Sequence, residues 1–206
     1  MSVIGLTGGI ASGKSLVSEI LRQLGAKVVD ADEVARLVVE PGTAGWTEIR
    51  QVFGDKILNP DGRIKRKALG SIVFADPSQL KKLNEITHPH ILNYFQNEIS
   101  NFREDKGTSA LILDVALLIE TGFYRIVDEV WLVAVSKEVQ LTRLIERDGI
   151  SREQALQRIN SQMSLAEKKK YADITIDNSG SVESTRQKVE ELWKRRFGSG
   201  VANFDN

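Results

Sequence analysis

The sequence predicts an α/β fold in which helices cover a five-stranded parallel sheet. Five short apolar runs rich in β-branched residues recur along the chain, at residues 3–6, 27–29, 110–113, 130–135 and 174–176. Continuous apolar runs of this length are typical of strands that are buried on both faces. Apolar residues spaced three and four apart predict helices over residues 14–24, 137–147 and 181–197. Strands that alternate with helices favour a parallel sheet with right-handed crossovers.

Two stretches interrupt this alternation and are predicted to be insertions into one domain spanning residues 1–206. The core would comprise about residues 1–40, 108–136 and 171–200. Residues 41–107 would form a mostly helical, substrate-holding insertion, with turns at Pro41-Gly42 and at Asn59-Pro60-Asp61-Gly62. Residues 137–170 would form a lid, in which Ser151 with Gln154 and Ser164 with Glu167 fit capping boxes. The lysines at 168–170 are predicted to be a solvated helix end.

Composition excludes several classes of protein. The 206 residues carry 28 Lys and Arg against 28 Asp and Glu, whereas nucleic-acid-binding proteins usually show a basic excess. There is no cysteine and there are two histidines, which argues against disulfides, thiolate metal sites and His-rich metal sites. The longest apolar stretch, residues 110–119, is interrupted by Asp114 and is too short to cross a membrane. We therefore expect a cytoplasmic protein, monomeric or weakly homo-oligomeric, without a nucleic-acid or membrane partner.

The strongest motif is the segment Gly8-Gly9-Ile10-Ala11-Ser12-Gly13-Lys14-Ser15, which fits the phosphate-loop pattern G-x-x-x-x-G-K-[ST]. Glycines let the backbone approach phosphate closely, and amides at a helix N-terminus attract anions. The residues expected to contact a nucleotide are Gly8, Ala11, Ser12, Gly13, Lys14, Ser15 and Leu16. Lys14 would bridge the outer phosphates, and the Ser15 hydroxyl would bind Mg²⁺. The alternative is a glycine-rich turn with a solvated lysine.

Several acidic residues follow the predicted strands, where ligands of parallel sheets usually bind. Asp30 and Asp32 come directly after the second strand, and Asp114 ends the third. Either of the first two could simply cap the next helix. Asp32 and Asp114 are also candidate Mg²⁺ ligands, alongside Ser15. Glu120 is either a further polar group at this edge or a surface residue.

The remaining sequence narrows the class of nucleotide-binding protein. No Asn-Lys-x-Asp motif is present to read guanine, which argues against a GTPase switch. Motors and large ATPases normally need a longer chain. A small-molecule kinase fits the length, the insertion and an arginine-bearing lid.

A series of motifs in this order resembles the dephospho-coenzyme A kinase family over about residues 3–197. The matching segments are Leu6-Thr7-Gly8-Gly9-Ile10, Val29-Asp30-Ala31-Asp32, Ala35-Arg36, Asp61-Gly62, Arg66, Leu69, His88-Pro89, Leu117-Leu118-Ile119-Glu120, Gln140-Leu141-Thr142-Arg143-Leu144, Arg147-Asp148, Arg158-Ile159, Gln162 and Ile176-Asp177-Asn178-Ser179-Gly180. The resemblance implies a three-layer P-loop nucleoside-kinase-like fold with a helical acceptor-binding insertion and a helical lid. It further implies a soluble enzyme that transfers phosphate from ATP, with Mg²⁺, to the ribose 3′-hydroxyl of dephospho-CoA.

The resemblance also implies roles for individual residues. Lys14, Arg143 and Arg147 would neutralise charge during transfer, and Asp32 would orient the acceptor hydroxyl and accept its proton. The adenine side of ATP would meet Asn178, and the acceptor would meet Arg66 and His88.

Structural interpretations stay open for these residues. Arg143 and Arg147 lie four apart, as solvated pairs on a helix often do. His88 would simply enter a helix, Asn178 would be a turn residue before Gly180, and His90 would be structural. Two other functions also remain: another small-molecule or nucleoside kinase with the same phosphate loop, and a nonenzymatic ATP-sensing module.

Overall fold

The computed structural model describes residues 1–105 and 107–198, which form two compact units. The first unit joins Met1–Val29 to the chain from Ile99 onward, and the second is Asp30–Glu98. Some predicted boundaries lie outside the described residues: residue 106 of the insertion, residues 199 and 200 of the core, and the last six residues of the predicted 1–206 domain. The predicted roles of residues 41–107 and 137–170, as acceptor-binding insertion and lid, stay predictions.

A five-stranded sheet is the centre of the first unit, as predicted. Its strands are β1 (Ser2–Gly8), β2 (Lys27–Asp30), β3 (Ala110–Asp114), β4 (Glu129–Ala134) and β5 (Ile174–Asp177), arranged in the order β2-β3-β1-β4-β5. β1 pairs in parallel with both β3 and β4, and β4 pairs in parallel with β5. The central strand β1 therefore ends where the strand order reverses, which is the usual ligand edge of such sheets.

Helices pack on this sheet through an apolar core, because its central strands are buried on both faces. α1 (Lys14–Gln23) and α9 (Val182–Phe197) bury Ile20, Leu21, Val189 and Trp193 in the same cluster as Trp131 of β4. The helices α6 (Lys137–Asp148), α7 (Arg152–Asn160) and α8 (Leu165–Lys169) follow β4.

Serine caps explain where these last helices begin. Ser151 and Gln154 form both halves of the predicted capping box at α7. At α8 the Ser164 hydroxyl accepts from the Glu167 amide, but the Glu167 carboxylate contacts Lys170 at 2.7 Å. The second predicted capping box is therefore only half formed.

The second unit is helical around its own small core. It contains α2 (Ala31–Leu37), α3 (Ala44–Phe53), α4 (Arg66–Ala75) and most of α5 (Pro77–Glu104). Ile49, Phe53, Ile57, Leu69 and Val73 form its buried cluster. The predicted turn at residues 59–62 forms, with the Gly62 amide donating to the Asn59 carbonyl at 2.9 Å.

α5 contains His88 and Pro89 in its interior, so the interpretation of His88 as a helix-entry residue is wrong. His90 lies in the same helix, with Nε2 3.0 Å from Glu48 Oε1 of α3, as a structural histidine would. Within the described residues, no helix has the length and apolar character needed to cross a membrane.

Candidate functional site

The loop between β1 and α1 has the conformation that a phosphate-binding loop needs. Ala11 and Gly13 have φ values of 57° and 81°, and the Ser12 amide closes a turn on the Gly9 carbonyl at 3.0 Å. A Cβ at Gly8 would lie 2.5 Å from Ser12 Oγ, so only glycine fits there. No side chain caps α1 and its first turn holds no acid, which leaves the positive end of the helix available to an anion.

The amides of this loop differ in their availability. The Leu16 amide donates to the Gly13 carbonyl at 3.1 Å, and the Ser12 amide is used in the turn. The Ser12 hydroxyl is buried and, within the described part of the chain, has no hydrogen-bond partner. Of the predicted nucleotide contacts, the amides of Ala11, Gly13, Lys14 and Ser15 are therefore better candidates than those of Ser12 and Leu16.

Two glutamines hold the Ile10 backbone from opposite sides. Gln140 Nε2 of α6 donates to the Ile10 carbonyl at 2.7 Å, and the Ile10 amide donates to Gln162 Oε1 at 2.8 Å. Because the C=O and N–H of a trans peptide point in opposite directions, fixing the Ile10 carbonyl turns the Ala11 N–H away from Gln140. These contacts stabilise the left-handed conformation of Ala11, which is unfavourable for a residue other than glycine.

Asn178 supports the same loop from the end of β5. Its side chain is buried, and Nδ2 donates to the Ser12 carbonyl at 2.7 Å. The Thr185 hydroxyl of α9 donates to Asn178 Oδ1, also at 2.7 Å. Asn178 is thus more than a turn residue, and both ends of its amide contact the protein.

Lys14 forms an ion pair with Asp114 at the carboxyl end of β3. The Asp114 side chain is 5% exposed, whereas that of Lys14 is 21% exposed. The pairing register sets Leu6 of β1 opposite Asp114, so the two strands bring the phosphate loop and this carboxylate to one edge of the sheet. The role of Asp114 as a Mg²⁺ ligand stays a prediction.

The two predicted arginines of α6 have different surroundings. Arg143 Nη2 donates to the Asn178 carbonyl at 3.0 Å, and a Cβ at Gly13 would lie 3.5 Å from Arg143 Nη1. Arg147 instead pairs with Asp148 at 2.7 Å, which raises the pKa of Arg147 and lowers that of Asp148 through their hydrogen bond. Asp148 also contacts Arg158 of α7 at 2.6 Å. Of these two arginines, Arg143 is the one placed beside the phosphate loop.

The donors available for a divalent cation suit Mg²⁺. The described residues hold no group of three His, Cys, Asp or Glu that could form an all-protein metal cage. Mg²⁺ usually keeps several waters and binds through one or two carboxylates and the phosphates of a nucleotide. The exposed Ser15 hydroxyl at the start of α1 and the Asp114 carboxylate are oxygen donors of the required kind.

The lysines at 168–170 are not all solvated, so that prediction is wrong for Lys168. Its side chain is 1% exposed, and its ammonium contacts the two carboxylate oxygens of Glu120 at 2.7 and 2.9 Å. Lys169 and Lys170 are exposed, as expected. Glu120 therefore has a structural partner from α8.

The remaining predicted residues belong to the second unit. The Asp30 carboxylate caps α2 by accepting from the Asp32 amide at 2.7 Å, which supports the capping interpretation for Asp30. The Asp32 side chain is exposed in the first turn of α2. His88 is half-buried in α5, and burial lowers its pKa.

Arg66 lines a cationic cavity in the second unit. The cavity has a volume of about 380 Å³, and its charged lining residues are Arg36, Glu40, Arg63, Lys65, Arg66 and Lys67. Arg63 contacts Glu40 at 3.5 Å, which neutralises one charge. Four positive charges remain, so the cavity suits a polyanion.

The sequence does not predict the roles of four residues described above: Gln140, Gln162, Thr185 and Lys168. The two glutamines belong to motifs that resemble the dephospho-coenzyme A kinase family, and that resemblance is the signal that could identify them. Thr185 is a polar residue on the buried side of α9, where apolar residues are the rule.

The chain matches known proteins over nearly its whole length. The family model described as dephospho-CoA kinase matches residues 2–184. A curated protein from Geobacter sulfurreducens, named dephospho-CoA kinase, is 49% identical over 197 residues, covering 96% of this chain and 100% of the relative. One of the same name from Carboxydothermus hydrogenoformans is 48% identical, covering 94% of this chain and 95% of the relative.

Solved structures have the same architecture. A crystal structure of a protein from Thermus thermophilus superposes with a TM-score of 0.77 at 32% identity, covering 94% of this chain and 97% of that one. The structure of dephospho-CoA kinase from Campylobacter jejuni gives a TM-score of 0.67 at 28% identity, covering 94% and 96% of the two chains.

Proposed function

This chain belongs to the dephospho-CoA kinase family, and we infer that it is an enzyme that uses ATP to phosphorylate dephospho-CoA. The observation that carries the inference is the phosphate loop, whose uncapped helix end adjoins Lys14, Asp114 and Arg143 in a chain about half identical to proteins of that name. The acceptor atom is proposed to be the ribose 3′-hydroxyl. The products are then CoA and ADP.

We propose that the triphosphate of ATP binds to the backbone of residues 11–15. The Lys14 and Ser15 amides begin α1, where the first amides of a helix lack intrahelical partners and point along the positive end of the helix dipole. Asn178 and Gln140 donate to the Ser12 and Ile10 carbonyls, and Gln162 accepts from the Ile10 amide, so the loop amides are oriented before ATP arrives. Preorganised donors cost little reorganisation when the phosphate binds.

Charge neutralisation and positioning supply most of the rate in phosphoryl transfer. Lys14 carries the cation at the start of α1, and Arg143 carries a second beside Gly13. Arg147 is tied to Asp148, so it would contribute only after changing partner. Ser15 and Asp114, with Asp32 as the third predicted ligand, would hold Mg²⁺, which supplies further positive charge to the phosphate oxygens.

The acceptor hydroxyl needs a group that orients it and takes its proton. We propose Asp32 for this role, because its carboxylate is exposed while that of Asp30 is used to cap α2. A carboxylate that accepts a hydrogen bond from the hydroxyl turns a lone pair of the hydroxyl oxygen toward the γ-phosphorus. It takes the hydroxyl proton as the new O–P bond forms and the bond from the γ-phosphorus to ADP breaks. Asn178 is proposed to support the adenine side of the ATP site.

The cationic cavity around Arg66 suits the other end of the acceptor. Dephospho-CoA carries a diphosphate between its adenosine and its pantetheine arm, and arginines bind such groups through paired N–H donors. Arg36, Arg63 and Arg66 line the cavity with two lysines. We propose that this cavity recognises the diphosphate and that His88 contributes to the acceptor side.

An ADP-release assay with three acceptors tests this function. Dephospho-CoA should be turned over with Mg²⁺ and ATP, whereas adenosine, which has a 3′-hydroxyl but no diphosphate, should react at least 100-fold more slowly per unit concentration. Shikimate controls for other small-molecule kinases. Faster turnover of adenosine or shikimate would favour another kinase, and ATP binding without any turnover would favour an ATP-sensing module.

A further inference from the structure

Thr185 lies directly after the segment that the family model matches, which ends at residue 184. It is on α9 and its side chain is fully buried. Its hydroxyl donates to Asn178 Oδ1 at 2.7 Å, and the Ser181 carbonyl lies farther away, at 3.2 Å. Since a hydroxyl has a single proton, the shorter contact to Asn178 is the stronger hydrogen bond.

The Asn178 amide can satisfy its neighbours in one orientation only. The Ser12 carbonyl accepts but does not donate, so it must face Nδ2. Oδ1 then points to the opposite side, where the Thr185 hydroxyl supplies its donor. If the amide turned over, Oδ1 would face the Ser12 carbonyl, and two acceptors would repel each other.

This amide fixes the peptide between Ser12 and Gly13 in the phosphate loop. The Ser12 carbonyl and the Gly13 N–H belong to one trans peptide and point in opposite directions. Holding the carbonyl at Asn178 therefore turns the Gly13 N–H away from Asn178. Gly13 is in the left-handed region at φ 81° and has no side chain to restrict it, so its amide depends on this anchor.

We propose that Thr185 is a positioning residue for ATP: through Asn178 it orients the Ser12–Gly13 peptide, and thereby an amide that binds phosphate. Asn178 also helps to position Arg143, because the Asn178 backbone carbonyl accepts a hydrogen bond from Arg143 Nη2 at 3.0 Å. Thr185 is not expected to touch ATP. This inference rests on the proposed function only in requiring that ATP binds to the loop.

Four substitutions separate positioning from packing. Thr185→Val keeps the shape and removes the donor, Thr185→Ala removes the donor without an added methyl group, and Thr185→Ser keeps the hydroxyl. Val189→Ala, at an equally buried position one turn later on α9, is the matched packing control.

The readout is ATP binding to each full-length variant by calorimetry, with thermal unfolding measured in parallel. Thr185→Val and Thr185→Ala should each weaken ATP binding roughly 5- to 30-fold, as expected when a buried acceptor loses its partner. Thr185→Ser and Val189→Ala should stay within about twofold of the parent. In turnover, the KM for ATP should rise while the KM for dephospho-CoA stays unchanged.

Two results would overturn the proposal. One is a donor-free variant that binds ATP as tightly as the parent. The other is a Val189→Ala protein that loses as much affinity as the donor-free variants. If Thr185→Val does not fold, Thr185→Ala gives the same comparison. ATP binding can be measured without an acceptor. A parent protein that binds ATP but does not phosphorylate dephospho-CoA would contradict the proposed reaction, while the effect of Thr185 on ATP binding could still be measured.

Discussion

Lys168 of α8 is buried against Glu120, which follows β3 by six residues, and its ammonium contacts the two carboxylate oxygens at 2.7 and 2.9 Å. The two side chains differ in exposure, at 1% for Lys168 and 23% for Glu120. Burial makes each charge dependent on the other, and the lysine depends on its partner more strongly because it has less access to water.

Removing either partner should therefore destabilise the protein, and removing Glu120 should do so more than removing Lys168. We expect Glu120→Gln to lower the free energy of unfolding by about 3 kcal/mol, since it leaves a buried ammonium without a counter-charge. Lys168→Met should cost roughly 1 kcal/mol, because the Glu120 carboxylate is still hydrated in part. The double substitution should cost less than the sum of the two single ones. Urea unfolding at equilibrium measures all three.

Lys169→Met is the matched control, since the neighbouring lysine is exposed and should change stability by less than about 0.5 kcal/mol. A Glu120→Gln protein as stable as this control would show that the buried pair contributes nothing to stability.

Lys14 should be required for phosphoryl transfer, and the loss of activity without it should not come from a loss of stability. Lys14→Met removes the cation proposed to face the phosphates and should lower kcat by more than about 100-fold. It also leaves the buried Asp114 carboxylate unpaired, which should lower stability. A loss of activity in this single variant could therefore come from either cause. Lys14→Met/Asp114→Asn relieves that unpaired charge, so it should regain unfolding temperature without regaining kcat. Asp114→Asn alone measures how much of the lost kcat belongs to Asp114, the proposed Mg²⁺ ligand. An active double variant would remove Lys14 from the mechanism.

Asp32 should affect chemistry more than ATP binding. Asp32→Asn keeps the size of the side chain but cannot accept a proton, so kcat should fall by roughly 10²- to 10⁴-fold with little change in ATP affinity. Glu33→Gln, at the adjacent exposed acid in the first turn of α2, should leave kcat within about twofold of the parent. Steady-state kinetics with dephospho-CoA as the varied substrate checks both. Equal losses in the two variants would indicate a general effect of charge at this helix.

The sequence predicts the sheet well because its central strands β1, β3 and β4 are buried almost throughout and therefore form continuous apolar runs. The edge strands β2 and β5 are only partly buried, although the sequence predicts burial on both faces for them too. The phosphate loop was also predictable, because its glycines and its lysine occupy set positions in one short continuous segment. Contacts between distant segments were not predictable. A run of lysines looks the same whether it is solvated or, as at Lys168, paired with a glutamate 48 positions away. Likewise, nothing local to Asn178 indicates that it supports Ser12, which is 166 residues distant.

His88 should make stability depend on pH between neutral and mildly acidic conditions. Burial lowers the pKa of its imidazole in the folded protein below its ordinary value of about 6.5. When the pH falls below 6.5, the unfolded chain therefore binds a proton that the folded chain resists. The free energy of unfolding should be highest above pH 6.5 and should decrease as the pH falls toward the folded-state pKa.

Urea unfolding of the parent and of His88→Gln at pH 7.5 and 5.5 measures this contribution, because the other titrating groups are common to both proteins. The variant should lose less stability than the parent over that range. The chain has two histidines, so a His90→Gln protein leaves one imidazole whose pKa can be followed by NMR. A His88 pKa above 6.5, or equal pH dependence in parent and variant, would mean that burial does not control the protonation of this residue.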